Sequence, residues 1–376
     1  MAKRRGNHEG SITKRSDGRW MARVTINGES KSFYGDTRQE AVKKMQEVIH
    51  DIDRGITTTK SDRLTLGAYL DSWVAIKKPE MEYSAWLRYE QYIRLHIKPA
   101  LGRVPLLKLS AHQLSALYAR KLEEGLAANT VRHLHACLHA ALEDALMHDL
   151  VIRNVADLVR PPKAPHLDMQ TYTPEQANRL LDAAQGDRLE AMYVLMLTSG
   201  CRLGELLGLR WSALDLDRAE MQISMALKDV SSRRTLGRPK TPRSRRTIPL
   251  TPRAIEALKH HRIEQMEERL AYGPDWNAQN LVFVTTTGNA YARTNWRKQQ
   301  YVPMITKAGL HYIRPHDLRH TAATLLLLEG VQPIVVSELL GHSSVAFTLQ
   351  TYGHVQAEMR KPARDAMERI FGQNPS

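Results

Sequence analysis

Two cysteines in 376 residues, Cys137 and Cys201, are too few for a disulfide framework. Cys201 reads as a small packing residue beside Arg202. No run approaches the ~18 apolar residues of a spanning helix, and the start Met1-Ala2-Lys3-Arg4-Arg5 lacks the apolar core of a secretory signal. These absences predict a reduced, intracellular protein with no membrane partner. There is also no glycine-rich phosphate loop, no metal-ligand cluster and no internal repeat. The expectation is therefore chemistry without a nucleotide, cofactor or metal. His133, His135, Cys137 and His139 invite a metal reading, but the pairs 133/137 and 135/139 lie on different helix faces, so one tetrahedral site cannot use all four. Polar residues facing a ligand are the preferred reading. Acidic residues are in deficit, 40 against 54 basic ones, which leaves a formal net charge of +14. A polyanionic partner follows, because each phosphate neutralised releases counterions.

What is present divides the chain into three. Residues 1 to 60 carry strand patterns at Gly10–Lys14, Arg19–Ile26 and Glu29–Tyr34, then a helical stretch from Thr37 to Arg54. Ser16-Asp17-Gly18 and Asn27-Gly28 supply the turns. Lys14, Arg15, Arg19, Arg23 and Lys31 interleave with Trp20, Phe33 and Tyr34. That pattern suits either a solvated sheet face over an aromatic core or a sheet laid against DNA. A linker, Ile56 to Arg63, precedes a helical bundle over 64 to 160, with helices at Leu66–Ile76, Ser84–His96, Ala111–Glu124 and Ala127–Asp149. The first three are opened by Thr65, Tyr83-Ser84 and Ser110. Arg160 to Pro165, stiff and basic, marks the next boundary.

The third region, 170 to 376, opens with a capping box at Thr173-Pro174-Glu175-Gln176. An apolar helix, Leu189 to Leu197, stops at Ser199-Gly200, so Arg202 emerges from a buried scaffold. Glu205 lies where it could orient a neighbour. Met221–Leu227 and Arg246–Leu250 read as strands flanking a basic loop that carries Arg233, Arg234, Arg238, Lys240, Arg243, Arg245 and Arg246. Most of these cations read as phosphate contacts. Leu281–Thr285 reads as another strand and Thr294–Lys307 as a helix. Then come Pro315-His316-Asp317-Leu318-Arg319-His320, Leu340-Gly341-His342 and, ten residues later, Tyr352. On a helix opening at Pro315, His316 and Arg319 share one face and make an anion site. A tyrosine near such cations can become a nucleophile.

The order and spacing of Arg202-Leu203-Gly204-Glu205, His316-Asp317-Leu318-Arg319, Leu339-Leu340-Gly341-His342 and Tyr352 resemble the tyrosine recombinases, the phage-integrase family. The resemblance spans nearly the whole chain. It implies a multidomain, mainly α protein with small β-sheets: an arm-type DNA-binding domain at 1–60, a helical core-binding, SAM-like bundle at 64–160 and a mixed α+β catalytic domain at 170–376. It implies that Arg202, His316, Arg319 and His342 cradle a scissile phosphate, that Lys240 in the hairpin protonates the leaving oxygen, and that Tyr352 forms a 3′-phosphotyrosine. It tips Lys14, Arg15, Arg19, Arg23 and Lys31 toward arm DNA, with Arg243 and Arg245 as further contacts. The implied partners are double-stranded DNA at core and arm attachment sites, three further copies in a tetramer, a DNA-bending host factor and an excision directionality factor. The implied location is the bacterial cytoplasm or nucleoid. Alternatives are a type IB topoisomerase-like nicking-closing enzyme and a noncatalytic DNA-binding regulator. Met359, Ala363, Ala366, Met367 and Ile370 form an apolar stripe that must be buried, either back on its own domain or, as the resemblance implies, on a neighbouring protomer.

Overall fold

The computed structural model describes residues 10–26, 29–53, 64–163, 169–230, 233–237, 245–273, 275–277, 279–342, 344–351, 368 and 371. The chain forms two compact units, Met1–His166 and Leu167–Ser376. Among the described residues no helix is long and apolar enough to cross a membrane.

The first unit begins with three antiparallel strands, β1 (Ser11–Lys14), β2 (Trp20–Ile26) and β3 (Glu29–Gly35), followed by helix α1 (Arg38–Asp53). Arg15 and Arg19 close the first turn through a 2.8 Å backbone bond, and Gly18 takes the φ of +84° that the turn requires. The second turn, Asn27-Gly28, lies outside the described residues. Ala22, Val24, Ala41 and Met45 form the buried centre between sheet and helix, with Ile12, Trp20 and Phe33 packed against it.

Five helices follow: α2 (Leu66–Lys77), α3 (Tyr83–Tyr92), α4 (Lys98–Leu101), α5 (Ala111–Glu123) and α6 (Ala128–Met147). Thr65 caps α2 by accepting from Ala68 N, and Ser110 with Gln113 forms a capping box on α5. The expected opening at Tyr83-Ser84 is corrected, because Glu82 occupies the N-cap, with no side-chain capping bond. The expected single helix Ser84–His96 widens into a π-turn at Ile93–Ile97 before α4. Cys137 is buried in the helical core, which pushes its thiol up to about 12.

The second unit opens with α7 (Pro174–Ala183), α8 (Glu190–Ser199) and α9 (Leu203–Leu207). The capping box at Thr173 and Gln176 forms as expected. From Ala191 to Leu197, α8 is buried on every side, as a helix apolar all round must be. Strands β4 (Leu214–Asp215), β5 (Glu220–Ile223), β6 (Ala226–Val230), β7 (Arg233–Gly237) and β8 (Arg246–Pro249) make a three-stranded sheet, β4-β5-β8, and a separate β6-β7 ribbon. The expected strand Met221–Leu227 is thus two strands in two sheets, and the start of the expected loop is β7. The reason is packing on α9: a Cβ on Gly204 or Gly208 would meet Leu227 O at 3.0 Å or Leu227 N at 2.6 Å. The glycines admit β6 there, and the chain must leave the first sheet to reach them.

Helices α10 (Pro252–Tyr272), α11 (Arg293–Trp296), α12 (Val302–Lys307), α13 (Pro315–Leu328), α14 (Pro333–Leu340) and α15 (Val345–Thr351) complete the described fold. A π-turn, Arg297–Tyr301, joins α11 to α12 within the expected 294–307 helix. Leu281–Thr285 is corrected from strand to buried loop, with isolated bridges only, Arg210 to Leu281 and Val284 to Ala290. Side chains there do the work of a partner strand: the Val282 carbonyl accepts from Gln265 Nε2 and hydrogen-bonds His261 Nε2. The apolar stripe of the tail, from Met359 to Ile370, lies outside the described residues.

Candidate active site

The site is built on the end of α14. There Gly341 adopts φ +65°, Gly341 N donates to Glu338 O and His342 N donates to Ser337 O. This left-handed stop satisfies the earlier carbonyls. It leaves Leu339, Leu340 and Gly341 oxygens in a row, at the helix end where cations are favoured. Each is taken by one arginine: Arg246 Nε donates to Leu339 O at 2.5 Å, Arg319 Nη2 to Leu340 O at 2.6 Å and Arg202 Nη2 to Gly341 O at 3.1 Å.

A second stop faces it. Gly200 ends α8 at φ +58°, where a Cβ would meet Leu340 Cδ2 at 2.5 Å. Its carbonyl accepts from Arg319 Nη1 at 2.8 Å. Arg319 is 2% exposed and spans two helix ends, which holds its guanidinium still. Burial, and then the charge of Arg202, lower its pKa to about 9, so it remains a cation at neutral pH.

One carboxylate balances the cluster in part. Glu205 is buried, and its Oε1 accepts from Arg202 Nη1 at 2.9 Å while its Oε2 accepts from Arg246 Nη2 at 2.9 Å. Burial pushes the Glu205 carboxyl up, but the bond and charge of Arg246, followed by the charge of Arg202, outweigh it and hold the pKa low. Three guanidiniums against one carboxylate leave excess positive charge. Arg202 keeps a side-chain exposure of 38%, so its guanidinium still meets solvent.

The imidazoles feel that excess. α13 opens with Pro315 at its start and Asp317 capping Arg314 N at 2.9 Å, and it carries His316 and Arg319 three residues apart. His316 packs edge-on to His320 with ring centroids 5.0 Å apart. Desolvation is the larger cause of its pKa falling to about 4, with repulsion from His320, Arg319 and Arg202 added, although the residue is exposed. His342 is 7% exposed and falls to about 3, by burial and then by the charges of Arg319 and Arg202. A 2.8 Å hydrogen bond joins its Nδ1 to Thr348 Oγ1 on α15. Both rings are therefore neutral at pH 7. An anion would offset the part of these shifts that comes from the neighbouring charges.

Residues 170–359 match the model of the phage integrase family, and 65–122 match that family's N-terminal SAM-like domain. The chain belongs to the phage integrase family. Among relatives, it is 29% identical to a tyrosine recombinase XerC-like protein of Caldanaerobacter subterraneus subsp. tengcongensis over 361 residues, 91% of this chain and 92% of that one. It is also 29% identical to an integrase of Streptomyces ambofaciens over the full length of both. The Tn1549 transposon integrase, solved with transposon right end DNA, shares the fold at a TM-score of 0.68 and 23% identity, over 82% of this chain and 99% of that one.

Of the residues expected at this integrase's centre, Arg202, His316, Arg319 and His342 are brought together. Lys240, Tyr352 and Arg243 lie outside the described residues. Arg246, counted from sequence among loop cations most of which read as phosphate contacts, is turned inward: its side chain is 7% exposed and bonded to Glu205 and Leu339 O. The signal was available, since Arg246 alternates with Ile248 and Leu250 on a strand and shares their buried face. Thr348 was missed because nothing in a lone threonine announces a histidine partner. Arg245 is exposed at the foot of β8.

On the N-terminal sheet the expected cations divide. Arg23 is exposed and pairs across with Ser32, whereas Lys31 pairs with buried Val24 and Lys14 with Trp20, on the face that receives α1. Arg15 lies 5.3 Å over the Tyr34 ring, on Arg23's side of the sheet. The expectation of no metal-ligand cluster also needs correcting. His139 and Glu143 on α6 meet Asp157 with ligand atoms within 4.8 Å, a partner no helix-face count could supply. That group is satisfied internally, by a 2.7 Å His139–Asp157 pair and a 3.0 Å bond from Asn154 to Glu143.

Proposed function

We propose that the chain is a site-specific DNA recombinase that seats a scissile phosphate on Arg202, Arg319, His316 and His342 and attacks it with Tyr352. The supporting observation is the three-arginine row on the end of α14, with one carboxylate for three guanidiniums and two imidazoles held neutral beside them. Such a cluster is an anion site, and its donors are oriented before the anion arrives. Guanidinium forks match the nonbridging oxygens of a phosphodiester, with charge-assisted bonds worth roughly 1.5 to 3 kcal/mol each. The neutral imidazoles can donate to the same oxygens or move a proton.

In this reading the Tyr352 hydroxyl gives its proton to a neutral imidazole of the site and its oxygen forms a bond to phosphorus as the bond to the 5′ oxygen breaks. Lys240 gives that oxygen its proton, and a 3′-phosphotyrosine holds the strand. A 5′ hydroxyl from another strand reverses the step, so exchange needs no nucleotide. Residues 1–60 serve as the arm-site module, 64–160 as the core-site clamp and 170–376 as the catalytic domain. Four copies assemble on paired sites, passing their C-terminal tails between protomers and working with a DNA-bending host factor and an excision directionality factor.

The test uses a nicked duplex carrying the attachment sequence from DNA flanking the gene. Wild-type protein is expected to form a denaturation-resistant adduct, and Tyr352→Phe to bind equally and form none. An adduct in Tyr352→Phe moves the nucleophile elsewhere. No adduct in either protein leaves a DNA-binding regulator, and single-site relaxation without two-site exchange leaves a topoisomerase.

A further inference from the structure

Arg246 is the one arginine of the α14 row to which the phosphate-binding scheme gives no task. It sits on β8 opposite Ile223 of β5, with Met221 and Ile248 paired next along the same buried face. A cation on that face must be compensated. Among the described residues the site compensates it: both Glu205 oxygens, at 2.9 and 3.3 Å, the Leu339 carbonyl and, at 3.7 Å, Cys201 Sγ. Burial pushes that thiol up to about 11, so it stays neutral. With 7% of its side chain exposed, Arg246 is turned from the solvent that Arg245 meets.

We infer that Arg246 is a positioning residue for strand cleavage: it clamps Glu205, which holds Arg202, and it pins the α14 terminus from which His342 departs. The inference rests on the proposed reading of the site. Arg202 takes Glu205 twice, through its guanidinium and through its backbone N–H at 3.0 Å. A Glu205 free to rotate or to take a proton releases both. The charged groups facing Glu205 are Arg202 beside it, Arg246 from β8 and Arg319 from α13, with the Cys201 thiol nearby. Arg293 crosses Gly204 on the other side and donates to Leu227 O.

Arg246 supplies the largest lowering influence on Glu205, so its loss raises the carboxyl, with burial left opposed by Arg202 alone of the two clamping arginines. The sign is then fixed. Activity of Arg246→Met should fall as pH drops through the raised Glu205 pKa and recover as pH rises, an acid limb the wild type lacks.

The experiment measures single-turnover adduct formation on the nicked duplex from pH 5.5 to 9, together with DNA affinity against salt and thermal melting. Wild-type adduct formation tests the reading of the site by itself, so a failure there is distinct from a failure at Arg246. Arg246→Met is expected to cut the cleavage rate roughly 10- to 100-fold at pH 7, as a misplaced catalytic group does, with the acid limb and an unchanged salt slope. Arg246→Lys keeps the charge and should show a smaller loss without the limb. Glu205→Gln should be slow at every pH. A salt slope shallower by about 0.9 per variant would make Arg246 a phosphate contact and overturn the inference, as would a pH profile in Arg246→Met parallel to wild type. If Arg246→Met does not fold, wild-type rates in both Arg246→Lys and Glu205→Gln overturn it equally.

Discussion

Arg15 and Arg23 on the N-terminal sheet are exposed, with partners that water can replace: a 3.6 Å approach to Asp17 and a ring contact for Arg15, and a 3.2 Å bond to Ser32 for Arg23. Arg246 and Arg319 in the second unit are buried and anchored on helix-end carbonyls. The chemistry of the side chain is the same, but the two settings do different things. An exposed pair contributes about 0.2 to 1 kcal/mol and keeps the rotamer freedom that lets it follow an irregular polyanion. A buried guanidinium with two carbonyl partners gives up that freedom for position, which is what a developing transition-state charge rewards. The first setting suits affinity that falls with salt, and the second suits rate.

That contrast is most exposed to failure at Arg319. Arg319→Ala is expected to cut adduct formation roughly 100- to 1,000-fold while leaving core-site binding nearly unchanged. Arg319→Lys should rescue little, because an ammonium cannot span Gly200 O, Leu340 O and a phosphate together. Single-turnover cleavage beside gel-shift titration reads both, and binding that falls in step with cleavage would erase the distinction between the two kinds of arginine.

Thr348→Val removes the hydroxyl on His342 Nδ1 and leaves the volume. It is expected to slow cleavage about tenfold, in the range of groups that orient a working imidazole, without changing affinity. Equal rates would mean that the arginines alone orient His342.

A gentler probe is pH. An unfolded histidine binds its proton near 6.5, whereas folded His342 does not until about 3. The unfolded state therefore binds more protons between these values. His342 favours the folded state fully above pH 6.5, and the contribution is lost as pH falls toward 3. Melting temperature should decline from pH 7 to 5 by about 2 to 4 °C for each kcal/mol lost. His342→Asn should flatten the decline, and inorganic vanadate should oppose it by favouring the imidazolium. A decline identical in the variant would assign the titration to other groups.

The smallest effect is expected on the sheet. Arg23→Ala should lower arm-site affinity a few-fold and its salt slope by about 0.9, with core-site cleavage unaltered. Cleavage that falls as well would show that the sheet contributes to the centre.

Much of this was legible in order. The caps at Thr65, Ser110 and Thr173, the stop at Gly200 and the three-residue spacing of His316 and Arg319 are local, so propensity and periodicity reveal them. Glu205 inside Leu203-Gly204-Glu205-Leu206-Leu207 was visible as a carboxylate placed to orient a neighbour. The rest depends on distance along the chain. Leu281–Val284 has strand composition but no strand to pair with, and Met221–Leu227 breaks because Gly204 and Gly208 draw its second half onto another helix.

By itself the sequence determined most helices and their caps, because each rests on residues within a turn or two of one another, and it carried the basic excess and the motif order that marks the family. Only the tertiary structure decided which arginines work from inside. Arg245 and Arg246 are neighbours with identical side chains, and strand parity sends one to solvent and the other to the core. The carbonyls of Leu339, Leu340 and Gly341 gather arginines from 93, 21 and 139 residues away. Such pairings have no local signal, since the energy that selects them, compensation of a buried charge, exists only once the helix ends meet.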